Sequence, residues 1–516
     1  FAERFKVFVT PFVERGQVID IGPKAKNLPV EQLSLRAGES INWNGASNEI
    51  YWSLGPDLYQ ASVAGLFDIS NKAEVADADN TATESTTPAP VKTYLGFKEK
   101  ADKPSGRVAF VGGKVITMEG EQVIDNGVVV VEGNKIIAVG KNGEVDIPSN
   151  ATVIDVTGKS IMPGLIDAHA HGPQGSDEII PQQNWKNYAG LALGVTTIHD
   201  PSNDTTEFFA ASEMQKAGDI VGPRLFSTGS ILYGATVAGY TSHVDSLDDA
   251  KFHIERLKKA GVFSVKSYNQ PRRNQRQQMI QAAREAEILV VPEGGSLLQH
   301  NLTMLVDGHT TLEHSISTAK IYDDIKQLWS QSEMAYTPTM GVAYGGISGE
   351  HFWYDTTDVW LHPRLSKYVP SEFLDPRSMR RSKAPHHHYN HINVAKVAKE
   401  LNDLGVVVNA GGHGQREGLA MHWEMWMMAQ GGMSPLDAIR TATMSSAHTL
   451  GLDSQLGSLK VGKLADILVI DGDVSENIRL SDQVVYTMVN GRLYNAETMN
   501  EVGNYDNKRE KFYFEK

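Results

Sequence analysis

Cysteine is absent from this 516-residue sequence. Disulfide bonds, thiolate metal sites and cysteine nucleophiles are therefore excluded, and any bound metal must be held by nitrogen and oxygen ligands. Long apolar runs are also missing, since none approaches the roughly 18 residues that cross a bilayer, and no signal peptide opens the chain. The sequence begins at Phe1, inside a strand-like pattern and without methionine. This start indicates a fragment or a processed chain.

Positive charge is scarce as well. The chain has 48 Lys and Arg against 62 Asp and Glu, which gives a formal net charge of −14 at pH 7. Phosphate binding needs clustered Lys and Arg, and the basic stretches are short, such as residues 271–276. The composition therefore argues against a nucleic-acid partner. With 41% hydrophobic and 21% charged residues, the chain is expected to be globular and to contain more than one domain.

The chain divides into a central segment and flanking β-rich segments. Residues 1–70 alternate short strand-like runs with turns, which predicts a small all-β unit. Residues 71–104 have the composition of a linker, rich in Ala, Thr, Glu and Pro. Residues 105–163 and 455–500 contain hairpin patterns. These two segments are predicted to form one small β-sandwich that flanks the central domain.

The central segment, residues 164–454, alternates apolar strand-like runs with helical patterns. Repeated β-then-α units of this length predict a parallel sheet that closes into a (β/α)8 TIM-like barrel, with an open doubly wound sheet as the alternative. The expected fold class is therefore α/β, and residues 501–516 are expected to form a C-terminal tail. Active sites of such barrels lie at the C-terminal ends of the strands.

Two histidines stand at the end of the first apolar run of this segment, at His169 and His171. Side chains at i and i+2 of a strand point the same way, so both imidazoles can converge on one point beyond the strand. Neutral imidazole is the commonest metal ligand. Two polar residues in an ordinary turn would give the same short pattern. The choice between a metal site and a turn therefore depends on the later segments of the sequence.

The stretch Pro163-Gly-Leu-Ile-Asp-x-His-x-His resembles the first-strand signature of the metal-dependent amidohydrolase superfamily. Later segments resemble its second, fourth and sixth strands and its C-terminal return, in that order: Thr196–Asp200, Val265–Ser267, Leu312–His314 and Gly457–Asp466. The resemblance is closest to the imidazolonepropionase-like and Xaa-Pro dipeptidase-like branch, in the subgroup that carries an N-terminal β-propeller.

This resemblance has three consequences for the whole protein. It implies that residues 1–70 are the C-terminal part of a β-propeller, the remainder of which is a separate or missing polypeptide, because one blade cannot bury its own face. It implies a periplasmic or secreted location. It also implies an enzyme that forms homo-oligomers and needs no membrane span.

The resemblance implies a site for two divalent metal ions, zinc first and manganese or iron as alternatives. His169 and His171 would be ligands, together with Lys266 and His314. Lys266 would be carboxylated, which turns a cation into a carbamate that bridges the two ions. An ordinary ion-paired lysine and a satisfied core histidine remain the alternatives for Lys266 and His314.

Two positions depart from the family pattern. The usual fifth-strand histidine is missing, and Glu293 is its natural substitute because a carboxylate oxygen binds zinc at about 2.0 to 2.2 Å; an acid in a glycine-rich turn is the alternative. The usual eighth-strand aspartate is also missing, and His413 stands in its place. A histidine there could bind metal, or could orient the attacking hydroxide and move its proton. Glu293 and His413 are therefore metal-ligand and catalytic candidates.

Tyr268, Arg272 and Arg273 are candidates for substrate binding, since arginine recognises a carboxylate with two parallel hydrogen bonds; a plain ion pair is the alternative for the arginines. The sequence thus predicts a metal-dependent hydrolase that cleaves C–N bonds of small peptides, acylated amino acids or cyclic amides. A catalytically silent binding or structural module remains the alternative from another class. Deaminase or lactonase chemistry at the same site is the alternative within the enzymes.

Overall fold

The computed structural model describes residues 1–515 apart from positions 15, 17, 37–38, 69–88, 236, 238–240 and 380–382. The strands, in chain order, are β1 Ala2–Glu3, β2 Lys6–Val9, β3 Glu31–Gln32, β4 Glu39–Trp43, β5 Glu49–Leu54, β6 Asp57–Ser62, β7 Val91–Tyr94, β8 Arg107–Ile116, β9 Val123–Glu132, β10 Lys135–Lys141, β11 Thr152–Asp155, β12 Lys159–Pro163, β13 Leu165–Asp167, β14 Val195–Asp200, β15 Arg224–Ser227, β16 Ile231–Tyr233, β17 Thr241–His243, β18 Ser264–Ser267, β19 Leu289–Pro292, β20 Thr311–Glu313, β21 Ala335–Thr337, β22 Ile467–Asp471, β23 Val484–Val489, β24 Arg492–Asn495 and β25 Glu501–Val502. The α-helices are α1 Trp185–Ala192, α2 Thr205–Ala217, α3 Leu247–Ala260, α4 Arg273–Ala286, α5 Leu298–Asp307, α6 Asp323–Ser330, α7 Gly349–Thr356, α8 Pro363–Tyr368, α9 Ser371–Met379, α10 His391–Asp403, α11 Leu419–Gln430, α12 Pro435–Thr441 and α13 Met444–Thr449. None of these helices has the length and apolarity that crossing a membrane requires.

The N-terminal unit consists of two small antiparallel sheets, β1–β3 and β4–β7. Val7, Ile50 and Trp52 are buried in its apolar core. Part of the predicted linker lies outside the described residues, but its later part forms β7, which pairs with β6. The side chains of β7 are exposed. This strand escaped prediction because pairing at a sheet edge satisfies backbone groups without burying side chains.

The two segments predicted as a β-sandwich form one continuous nine-stranded sheet, in the order β10-β9-β8-β12-β22-β23-β24-β25, with β11 beside β8. The halves join because β12 pairs with β8 on one side and antiparallel with β22 on the other. Both halves cover the same apolar core, which contains Phe110, Ile161 and Met488. The expected C-terminal tail is packed as well, since β25 extends this sheet and Phe512 is buried.

The central domain is a TIM-like barrel. Its strands pair in parallel within three groups, β13-β14-β15, β17-β16-β18-β19 and β20-β21. Single parallel bridges, Glu293 to Glu313 and Tyr336 to Val408, connect β19 to β20 and β21 to the next extended segment. The Ala168 N–H donates to the Ala410 carbonyl at 3.2 Å. This bond returns the last segment to the first strand and so gathers the strand ends at one place.

Helix α3 carries the contact between the N-terminal unit and the barrel. The helix begins with a capping box between Ser246 and Asp249 and ends at Gly261, whose φ of 111° suits glycine. Near its C-terminal end, Arg256 is buried and lies with its guanidinium carbon 3.6 Å from the centroid of the Phe5 ring. The N-terminal unit therefore places an aromatic ring over a buried cation of the barrel.

The Arg256 guanidinium also holds β16 and β17. These two strands lie between β15 and β18 in the chain, and we call them the added strands. Its Nη2 donates to Ser230 Oγ at 2.6 Å, next to β16, and to Ser242 Oγ at 2.9 Å, in β17. Glu39 Oε1, from the N-terminal unit, lies 3.7 Å from its Nη1. Burial lowers the pKa of Arg256 to about 10, and the Glu39 carboxylate opposes that shift. One side chain thus connects three parts of the fold.

Replacing Arg256 with alanine is expected to lower the free energy of unfolding by about 3 kcal/mol, because it leaves a void and removes the partner of two buried hydroxyls. Urea denaturation measures the loss. Arg36→Ala is the matched control: Arg36 is 44% exposed and pairs with Glu255, which is 48% exposed, so its effect should stay within about 0.5 kcal/mol. Equal effects of the two variants would contradict the role given to Arg256.

Candidate metal centre

The site is built on the C-terminal end of β13. His169 is fully buried and His171 is partly exposed, and their ring centroids lie 5.1 Å apart. The Asp167 carboxylate accepts the N–H of His169 at 3.2 Å and the N–H of Gly412 at 2.9 Å. This buried acid therefore fixes the strand end to the loop that carries His413.

Glycine allows that loop to approach the first strand. The His413 N–H donates to the His169 carbonyl at 2.7 Å. A Cβ at Gly411 would lie 2.7 Å from the His169 Cβ, and one at Gly414, whose φ is 64°, would lie 2.3 Å from the His171 carbonyl oxygen. Any other residue at these two positions would push His413 away from the site.

The structure brings all six predicted ligands together. Ligand atoms of His169, Glu293 and His314 lie within 4.8 Å of one another, and a second group within the same limit joins His169 with His171 and His413. Lys266 is connected to the first group through Glu293, whose Oε2 lies 2.5 Å from Lys266 Nζ. The Oε1 of the same carboxylate lies 2.9 Å from His314 Nε2. Two groups that share His169 suit two neighbouring ions.

Unpartnered atoms in this cluster show that the residues fit a cation. His169 Nε2 is buried and has no hydrogen-bond partner among the described residues. The Nζ of Lys266 and the Nε2 of His314 approach Glu293 closely, yet neither makes an aligned hydrogen bond within the described part of the chain. A buried polar atom without a partner is costly. A divalent ion bound to the two imidazole nitrogens would remove that cost for His169 and His314.

The other ring nitrogens of three histidines are held by hydrogen bonds. His169 Nδ1 donates to Glu313 Oε2 at 2.6 Å, His171 Nδ1 donates to Asp200 Oδ1 at 3.0 Å, and His314 Nδ1 donates to Thr339 Oγ1 at 2.8 Å. Such partners fix the tautomer, so that Nε2 keeps the lone pair that binds metal. Asp200 and Thr339 stand at strand ends in the sequence, but Glu313 was missed. An acid inside a buried strand is costly without a partner, and that was the available signal.

Burial keeps the imidazoles of His169 and His413 in the neutral form that binds metal. It lowers the pKa of His169 well below its ordinary value, and with help from nearby histidines it lowers the pKa of His413 to about 3. His413 is thus neutral near pH 7, which suits a ligand better than a proton donor. Burial by itself would raise the pKa of Glu293, but the neighbouring Lys266 ammonium outweighs it and the pKa falls.

Three residues of the site have a strained backbone. His314, Thr339 and His413 have φ values of 70°, 43° and 57°. Non-glycine residues in this left-handed region cost about 1–3 kcal/mol each, and they persist where the surrounding structure holds them for a function. Two of these strained residues, His314 and His413, are also candidate ligands.

A cavity of about 590 Å³ opens beside the cluster. Its walls include Lys266, Glu293, His171, His314 and His413 together with three tyrosines, Tyr233, Tyr268 and Tyr344. The structure therefore places Tyr268 at the site, and it adds Tyr233 and Tyr344, which gave no motif signal because they lie on the added strand β16 and in the loop after β21.

The two predicted arginines lie elsewhere. Arg273 makes a bidentate pair with Asp307, donating from Nη2 to Oδ1 at 2.7 Å and from Nε to Oδ2 at 3.2 Å. Arg272 is 58% exposed and lies 3.8 Å from Asp245. Neither side chain lines the cavity. The structure does not bring them to the cluster because they begin helix α4, where an acid on a neighbouring element satisfies Arg273.

Comparison with known proteins extends these observations. A model of the amidohydrolase family matches residues 160–494. A 5-methylthioadenosine/S-adenosylhomocysteine deaminase of Symbiobacterium thermophilum is 23% identical over 448 residues, covering 75% of this chain and 93% of that protein. A crystal structure of a Xaa-Pro dipeptidase with bound methionine has a TM-score of 0.58 at 20% identity and covers 75% of this chain and 100% of its own. Ochratoxinase of A. niger has a TM-score of 0.58 at 17% identity, over 76% of this chain and 96% of its own. At such identities the structures show likeness of fold.

Replacing Glu313 with glutamine is expected to weaken zinc binding about tenfold or more, because the amide cannot support the basicity of His169 as a carboxylate does. Competition with a chromophoric chelator measures the affinity. Glu350→Gln is the matched control, since Glu350 is also a buried acid but pairs with Arg377 at 3.0 Å, away from the cluster. Unchanged zinc affinity in Glu313→Gln would contradict the role assigned to this carboxylate.

Proposed function

Because this chain belongs to the amidohydrolase family, and so hydrolyses carbon–nitrogen bonds with the help of metal, we propose that it cleaves the amide bond of a small molecule in the cavity beside His171 and Glu293. The single observation that carries this proposal is the convergence of two overlapping ligand groups on His169. Each of these groups offers three ligand atoms to a divalent ion.

Each ligand has a proposed place. His169, His171 and His413 would hold one ion, while Glu293 and His314 would hold the other, with His169 next to both groups. Lys266, whose Nζ lies beside Glu293, is the residue that a carbamate would convert into a bridging ligand. When bound, divalent ions polarise a carbonyl oxygen and lower the pKa of a bound water. We propose zinc for both positions, because imidazole and carboxylate ligands suit it.

Side chains around the cluster would hold the ligands and the substrate in place. Asp167 and Glu313 hold His169 through its backbone N–H and its Nδ1, so the imidazole cannot rotate away from the cluster. His413 is proposed as a ligand, and its neutral imidazole lines the same cavity as Lys266 and Glu293. Tyr268 lines the cavity and offers a phenol hydroxyl to the substrate.

Deamination is the second candidate function. Curated relatives that cover about three quarters of this chain are named as 5-methylthioadenosine/S-adenosylhomocysteine deaminases. Hydrolysis that releases ammonia from a heterocycle would use the same activated water as amide cleavage. A panel of amides and amino-heterocycles, assayed for released carboxylate and for ammonia, separates the two reactions.

The N-terminal unit is proposed to be the last part of a β-propeller. The four-stranded antiparallel sheet β4–β7 supports this reading, since propeller blades are sheets of this kind. The remaining blades would come from other polypeptide, and the resemblance to propeller-bearing enzymes favours an exported homo-oligomer.

Removal of metal is expected to abolish amide hydrolysis, and added Zn²⁺ or Mn²⁺ is expected to restore it. The reason is that the bound metal would lower the pKa of the attacking water. Kinetics after chelation and reconstitution measure this, with bound metal counted by elemental analysis. His169→Ala should lose both the metal and the activity. A protein that holds no stoichiometric metal, or whose activity survives both treatments, would instead be the silent module or a different enzyme.

Carboxylation of Lys266 is expected to give a carbamate signal in the ¹³C spectrum of protein incubated with zinc and ¹³C-bicarbonate. The buried Nζ lacks an aligned partner among the described residues, and a carbamate would add two oxygen ligands there. Lys266→Arg is the control, because arginine keeps the charge but cannot form a carbamate. A spectrum identical to that of the control would contradict the bridging role.

A further inference from the structure

The cavity beside the metal centre has an aromatic wall. The rings of Tyr233 and Tyr268 meet edge to face with centroids 5.2 Å apart, and the Tyr344 ring lies 5.6 Å from that of His314. No hydrogen bond within the described part of the chain engages the three phenol hydroxyls. Ile231 and Val342 add apolar surface to the same walls. A ligand there would meet ring faces, aliphatic side chains and neutral hydroxyl groups.

Cations are nearly absent from these walls. Among the described residues that line the cavity, Lys266 is the one cationic side chain, and Glu293 occupies it at 2.5 Å. Arg273 is ion-paired with Asp307, and neither Arg273 nor Arg272 lines the cavity. These described walls therefore offer no guanidinium that could donate hydrogen bonds to a substrate carboxylate.

Burial of an unpaired carboxylate is expensive, whereas an aromatic or branched apolar group gains from contact with tyrosine rings. We propose that the cavity selects neutral amides with an aryl or branched apolar substituent and discriminates against substrates that carry a free carboxylate beside the scissile bond. This inference rests on the proposed function for its reaction, but the selectivity belongs to the cavity walls alone. Dipeptides and acylated amino acids, which carry such a carboxylate, are therefore not expected to be preferred substrates.

Equilibrium binding to the metal-free protein tests the selectivity without any reaction. The probes are 4-phenyl-2-butanone and 3-phenylpropanoate, which have nearly the same shape and differ by one charge. Fluorescence titration is expected to show at least about tenfold tighter binding of the ketone. Equal affinities, tighter binding of the carboxylate, or binding of neither probe would overturn the proposal. Because metal is absent, a carboxylate cannot gain from coordination.

Charge introduced into the wall should reduce the preference for the neutral probe. Thr241 lies on β17 and lines the cavity, and Thr241→Arg would supply the missing guanidinium. This variant is expected to change the ratio of the two dissociation constants at least about fivefold in favour of 3-phenylpropanoate. Thr241→Gln, of similar length and without charge, is expected to leave the ratio unchanged. An arginine that changes the ratio no more than glutamine does would count against the proposal.

Activity provides a separate arm. The zinc-loaded protein is assayed for benzoate release from N-benzoylglycinamide and from N-benzoylglycine, with Thr241→Arg compared to Thr241→Gln so that intrinsic reactivity cancels. A higher kcat/KM for the neutral amide that falls in Thr241→Arg supports the inference, and a preference for N-benzoylglycine contradicts it. Hydrolysis of neither compound would count against the proposed function, whereas the binding experiment decides the selectivity by itself.

Discussion

The contact on which the site depends is the double approach of the Glu293 carboxylate to Lys266 Nζ and His314 Nε2. Three neighbouring strands meet here, because Glu293 directly follows β19 and forms a bridge with Glu313 of β20, and its N–H donates to the Ser267 carbonyl at the end of β18. The carboxylate therefore holds the strand ends at the spacing that places His314 opposite His169. Without this anion, Lys266 would be buried with no ion-pair partner among the described residues.

Substrate access and the N-terminal unit are connected through the added strands. β16 and β17 carry Tyr233 and Thr241 into the cavity wall, and Arg256 binds hydroxyls next to both strands from behind. Because Phe5 and Glu39 of the N-terminal unit contact the same guanidinium, that unit supports one wall of the cavity. The barrel supplies the candidate metal ligands, while the shape of the pocket also depends on β16 and β17.

The sequence contained enough to predict that the candidate ligands would lie together, and too little to predict the walls of the pocket. His169 and His171 stand two residues apart on a strand, so local geometry alone indicates that they converge. Glu293 was identified because a histidine is missing from an otherwise matching strand order. Arg272 was assigned to the substrate from its residue type, yet its position depends on long-range packing that no local pattern records. The same is true of Tyr233, of the strand β7 formed within a linker-like segment, and of the contacts of Arg256.

Three loops of the centre, at His314, Thr339 and His413, keep a left-handed backbone that their side chains disfavour. Glycine would relieve that strain at each position, so natural variation that improved folding would tend to erase the site. The rest of the chain must supply enough excess stability to tolerate this conflict. The long sheet that joins both ends of the barrel domain is well placed to do so, and a relative with glycines at these three positions would be recognisable as one that had exchanged catalysis for robustness.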